Sequence, residues 1–247
     1  MALTDKLTAI ANAIREKDGT SDKMTLAEMP SKIAAIQVGG ATEPYTEETY
    51  DANGNLISAT LHGYTSIRAR AFKECLNLAS ISLPSGLTSI GNDVFNGCSN
   101  LALTSLPSSL TSIGERAFYT CSNLALTSLP SGITSIGNYA FYRCSKLALT
   151  SLPSSLTSIG SSAFNGCSNL ALTSLPSSLT SIGVRAFEKC SSLTSITFEG
   201  TPSTIDSSAF TNCTKLTTIN VPWAEGAVAG APWGATNATI NYNYTGV

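Results

Sequence analysis

The chain has 247 residues, 43% hydrophobic and 12% charged, with a formal net charge of -2. Fourteen Lys and Arg against sixteen Asp and Glu leave no surplus to attract a polyanion, which argues against nucleic acid or an anionic membrane surface as the main partner. His62 is the single histidine; multi-histidine zinc sites are excluded, and a Ser-His-Asp arrangement would have one place to assemble. No run approaches the roughly 18 apolar residues that span a bilayer, so no membrane insertion is expected.

Residues 1–40 read as a helical segment with a linker, and ten of the thirty charged residues fall before Val38. Leu3, Leu7, Ile10, Ala11 and Ile14 keep helical spacing, with Asp18-Gly19 as a stop. Thr25-Leu26-Ala27-Glu28 fits a capping box, Pro30 is tolerated in the first turn, and Ile33, Ala34 and Ile36 continue the apolar face. Such a helical pair is too small to own a core. It either packs as a cap against the rest of the chain or mediates homo-oligomerisation or attachment to a larger assembly. Its A-I-A-x-A-I-R-x-K and L-x-x-M-P-x-x-I-x-x-I patterns resemble N-terminal segments of tail-associated proteins of phages and prophages of gut Firmicutes. That resemblance implies a virion-associated protein binding a host surface. Asp5 and Lys6 stand where the apolar part of a signal peptide would begin, so a cleaved signal is not expected.

Val38-Gly39-Gly40 to Pro44 reads as a linker, and residues 41–63 as an N-terminal cap with a hairpin signalled by Asn53-Gly54. From there one period organises the chain. The seven cysteines, Cys75, Cys98, Cys121, Cys144, Cys167, Cys190 and Cys213, recur with a constant 23-residue step, and a phenylalanine precedes each by three positions. The isoleucine of L-T-S-I keeps the same step through Ile90, Ile113, Ile136, Ile159 and Ile182, with Ile67 and Ile205 at the ends. Prolines repeat at Pro84, Pro107, Pro130, Pro153 and Pro176. One unit cannot fold alone: about six buried side chains contribute roughly 9 to 18 kcal/mol, whereas ordering one whole unit costs on the order of 35 kcal/mol. Cooperativity must come from stacking.

The unit L-T-S-I-G-x-x-A-F-x-x-C-x-x-L resembles the BspA-like, or Treponema-type, bacterial leucine-rich repeat family over about Tyr64 to Trp223. The resemblance implies a mainly β fold: a right-handed leucine-rich-repeat solenoid of about seven 23-residue coils over 64–223, with a C-terminal cap over 224–247. It also implies a bacterial surface adhesin or protein-interaction module as the alternative to the tail-associated reading. Four units depart from the family pattern, placing Thr104, Thr127, Thr150 and Thr173 where isoleucine is expected and a leucine one residue earlier. A one-residue slip sends side chains to the opposite face, so those coils should hold either a local bulge or buried, hydrogen-bonded threonines. At the C-terminal end Pro222-Trp223 and Pro232-Trp233 bracket a small-residue loop, followed by alternation from Thr239 to Tyr244.

The odd cysteine count and the fixed place beside phenylalanine favour a column of small buried hydrophobes over disulfides or a metal site. No orienting carboxylate or nucleophile is indicated for His62, and phosphate-cradling or metalloprotease motifs are missing. Neither catalysis nor a cofactor is expected. Variation between units concentrates at the two residues after I-G and the two after phenylalanine, columns expected to face solvent as ridges. One cluster there is both aromatic and cationic: Arg116, Tyr119, Tyr139, Tyr142 and Arg143. Such a composition anchors contacts to a protein or glycan on a cell surface. The strand face around Ala102, Ala125, Ala148 and Ala171 is the flat, small-residue alternative.

Overall fold

The computed structural model describes residues 44–246; the helical pair expected within residues 1–40 lies outside them. Among the described residues there is no helix, and all regular structure is short strands. The hairpin forms as expected: β1 (Tyr45–Tyr50) pairs antiparallel with β2 (Leu56–His62). Gly54 takes the left-handed conformation in the turn, where the Asp51 carboxylate accepts from the backbone N–H groups of Asn53 and Asn55.

Seven Ser-Ile or Thr-Ile dipeptides then build one parallel sheet in unbroken register. In chain order they are β3 (Ser66–Ile67), β5 (Ser89–Ile90), β6 (Ser112–Ile113), β7 (Ser135–Ile136), β8 (Ser158–Ile159), β10 (Ser181–Ile182) and β12 (Thr204–Ile205). Every isoleucine pairs with its counterpart one coil away and is buried. Inside, the phenylalanines form a continuous stack from Phe72 to Phe210, with neighbouring centroids 5.2–5.6 Å apart and planes within 20°. The chain is therefore a β-solenoid in which each 23-residue repeat makes one coil.

Two further columns explain why the period tolerates no insertion. The glycine after each isoleucine lies where coils touch through backbone: a Cβ at Gly114, Gly137, Gly160 or Gly183 would stand 2.6–2.8 Å from a backbone nitrogen of the preceding coil. Glycine is required there for closeness. Each cysteine from Cys98 to Cys213 donates its thiol hydrogen to the carbonyl of the phenylalanine in the preceding coil, at 3.0–3.1 Å. The expected column of small buried side chains is present, and its members also fasten coil to coil.

A second ladder runs down another wall but only near the ends. At one end β1 and β2 are joined by β4 (Ser80–Ser82); at the other, β9 (Ser174–Leu175), β11 (Ser195–Phe198), β13 (Thr218–Asn220) and β14 (Thr239–Asn241) pair in parallel. Three of the four coils with displaced leucines lie between them, and the fourth carries β9. The expectation of buried threonines is corrected: Thr104, Thr127, Thr150 and Thr173 are exposed, while Leu126, Leu149 and Leu172 turn inward. Burying leucine gains roughly 1.5–3 kcal/mol, whereas a buried hydroxyl would need a partner. The cost falls on the ladder, which dwindles to one bond per junction, from the N–H of Ala125, Ala148 and Ala171 to the carbonyls of Leu103, Leu126 and Leu149.

After Trp223 the chain makes an eighth, irregular turn. The Phe210 N–H donates to the Trp233 carbonyl at 2.8 Å, β14 pairs with β13, and fully buried Trp233 packs with Phe198 and Trp223.

Gly137→Ala is expected to destabilise the protein by about 1–3 kcal/mol through overpacking against the preceding coil, read as a lower denaturant midpoint. The thiols give a second expectation. Burial raises Cys98 and Cys213 from the ordinary 9.0 to about 12, and holds Cys121, Cys144 and Cys190 well above 9.0. A folded-state pKa above the unfolded value means stability is intact below about pH 9 and falls as pH rises, by on the order of 1.4 kcal/mol per pH unit per thiol. Steep alkaline unfolding above pH 9 should appear in circular dichroism. At pH 8 a thiol reagent should reach at most half-buried Cys75 until denaturant is added.

Candidate functional site

The ridge is built on the turn that follows each Ser-Ile strand. In I-G-x-x-A-F-x-x-C the alanine and phenylalanine point into the core, which leaves the flanking pairs directed outward. The second residue of each pair adopts left-handed backbone: Arg116 (φ 53), Thr120 (φ 56), Tyr139 (φ 56) and Arg143 (φ 56) all do so. The same places are taken by glycine at Gly97 and Gly166 and by asparagine at Asn212, residues for which this conformation is inexpensive. Long side chains there cost about 1 kcal/mol each, so the geometry of the turn outweighs residue preference.

All five sequence-predicted ridge residues come together. The rings of Tyr119 and Tyr142, on successive coils, stack at 4.8 Å with planes 6° apart, and Tyr139 meets both edge-on at 6.4 and 5.9 Å. A guanidinium lies over each of two rings: Arg116 is 5.0 Å from the Tyr139 centroid and Arg143 5.4 Å from that of Tyr142. The two cations differ in charge balance. Arg116 Nη1 lies 2.6 Å from Glu115 Oε1, while among the described residues no carboxylate comes within 4.0 Å of Arg143. Sequence reasoning found the cluster but missed this asymmetry, which depends on side-chain direction rather than on column position.

The expectation that every variable position faces solvent needs correction at two places. Ser162 and Asn165 are buried. They are short side chains in columns whose neighbours are Tyr139, Arg185, Tyr142 and Glu188, and the Asn165 amide donates to Glu188 Oε2 at 2.8 Å. The ridge therefore dips beside Tyr142 and Arg143, where the Arg143 Cγ lies 3.3 Å from the point a Cβ on Gly166 would occupy.

His62 sits on β2 in the N-terminal hairpin, stacked on Tyr45 at 4.3 Å, with Nε2 3.6 Å from Glu47; the expectation that no carboxylate accompanies it is corrected, because the hairpin brings Glu47 of β1 alongside. Among the described residues no group of three His, Cys, Asp or Glu is placed to hold a metal ion, and no helix is long and apolar enough to cross a membrane. Ala102 and Ala171 of the small-residue wall are exposed, and Ala125 and Ala148 half-buried.

Lys189→Gly is expected to stabilise the protein by about 0.5–1 kcal/mol, because Lys189 holds left-handed backbone (φ 61) and its exposed pairing with Glu188 contributes little. Thermal melting should show the rise.

The BspA type leucine rich repeat region matches in six copies over residues 65–179 and 134–225. A leucine-rich repeat protein of T. pallidum is similar at 26% identity, with a TM-score of 0.55 over 69% of this chain and 87% of that one. A leucine-rich cell surface protein of Faecalibacterium prausnitzii shares the fold at 22% identity, with a TM-score of 0.50 over 74% of this chain and 72% of that one. Among curated proteins none matches. The repeat match covers well over half of the sequence, and the chain belongs to the BspA-type leucine-rich repeat family.

Proposed function

We propose that this protein is a non-catalytic recognition module of bacterial cell-surface adhesion, binding a protein or glycan partner through the tyrosine–arginine ridge. The observation that carries the reading is three tyrosines in mutual contact, with guanidiniums over two of the rings, on an outward face of a rigid array. Pre-organisation lowers the entropic cost of binding, and aromatic and arginine side chains dominate contact energies. A surface placement follows the description of the Faecalibacterium protein and belongs to this proposal. The non-catalytic part rests on chemistry: cysteines held as neutral thiols by burial are poor nucleophiles.

The tail-associated reading rested on residues before Val38, which lie outside the described residues, and the family match begins at residue 65. The surface-module alternative therefore replaces it as the principal reading.

A Tyr119→Ala, Tyr142→Ala double variant should keep the circular dichroism spectrum of the solenoid and lose at least tenfold in binding to whole bacterial or host cells, measured by flow cytometry with labelled protein. Unchanged binding by the folded variant would remove the ridge from the interface.

A further inference from the structure

Building on the recognition reading, we infer that the ridge takes an acidic saccharide: a sugar ring laid against the Tyr119–Tyr139–Tyr142 cluster with its carboxylate on the Arg143 guanidinium. Three observations support this ligand class. The first is charge. In a protein of net charge -2, Arg116 is answered by Glu115 at 2.6 Å, whereas Arg143, over the Tyr142 ring, has no carboxylate within 4.0 Å among the described residues. A guanidinium fork held over an aromatic ring, with its charge unanswered, suits one planar anion and favours bidentate contact with a carboxylate.

The second is the aromatic arrangement. Two parallel rings and one edge-on ring, all half-exposed, offer an apolar wall beside phenolic hydroxyls. A pyranose, apolar on its C–H faces and polar at its rim, matches both. The third is the surround. The large apolar side chains exposed among the described residues are Tyr50, Leu76 and Val184, none of them in the two coils that carry the cluster. A protein partner would bury about 800 Å² per side around well-packed anchors. The columns flanking these tyrosines supply Thr120, Asn138 and Ser161 instead, which are hydrogen-bonding groups suited to sugar hydroxyls. The dip at Asn165 and Gly166 leaves Arg143 bordered by short residues.

The test uses the full chain, with hexagalacturonate and sialyllactose as acidic probes and lactose as the neutral control, in isothermal titration at 50 mM NaCl. An acidic probe should bind at least tenfold more tightly than lactose and weaken in 500 mM NaCl. Arg143→Gln should remove the acidic preference, and Lys215→Gln, an exposed cation in the last full coil, should preserve it. Equal affinity for acidic and neutral probes, or an Arg143→Gln variant that binds as the parent does, would overturn the inference. If neither acidic probe binds while whole-cell binding persists and disappears in the Tyr119→Ala, Tyr142→Ala variant, the sugar assignment falls and the recognition reading stands. If cells treated with periodate still bind and protease-treated cells do not, the partner is a protein and the inference is again overturned.

Discussion

Backbone touching backbone at the glycine after each isoleucine is the constraint on which the rest of this molecule depends. With no room for a single carbon between Gly137 and the coil before it, coil spacing is set by main-chain contact rather than by side-chain size. Everything periodic follows from that distance. Phenylalanine rings land within stacking range, thiols reach the carbonyls of the preceding coil, and the isoleucine ladder stays in register across seven strands. A phenylalanine stack of even spacing is a result of the coil pitch as much as a cause of it.

The same pitch makes a surface. Residues unrelated in sequence distance, such as Tyr119 and Tyr142, become neighbours because each full repeat returns the chain to the same place one step along the axis. Positions facing outward are free to differ, since the core does not sense them. The left-handed turn positions show how far this freedom extends: arginine, tyrosine and lysine occupy a conformation better suited to glycine, and the array absorbs the strain through interior contacts that repeat coil after coil.

Much of this is legible from residue order alone. The phenylalanine and cysteine columns are readable because each step is the same, and the Asn53-Gly54 turn because its chemistry is local. The displaced leucines are not resolvable that way, since Leu126 and Thr127 are each compatible with one face of a strand; only the competition between burying a methyl-rich side chain and satisfying a hydroxyl decides, and it depends on the coil already formed. Ser162 and Asn165 read as exposed in the sequence because column membership says nothing about longer neighbours. The eighth turn is hidden by a shortened return to β14, although Trp233, standing one repeat length after Phe210, is a usable signal. The grouping of the ridge residues follows from column arithmetic. Its charge asymmetry does not, because Glu115 and Arg116 find each other through rotamers.

The lapse of the second ladder in the middle coils gives the rod unequal walls. The Ser-Ile wall is a continuous sheet from Ile67 to Ile205; the ridge turns are joined by three backbone bonds at a junction, as from the N–H groups of Arg116, Phe118 and Thr120 to the carbonyls of Asn138, Ala140 and Tyr142, and the leucine wall keeps one. Under tension or shear the load travels along the sheeted wall and the ridge turns, so opening is confined to the leucine wall and the tyrosine face keeps its geometry. A rod bent by its surroundings therefore parts first along the leucine wall, with the bonds that hold the tyrosine turns still made.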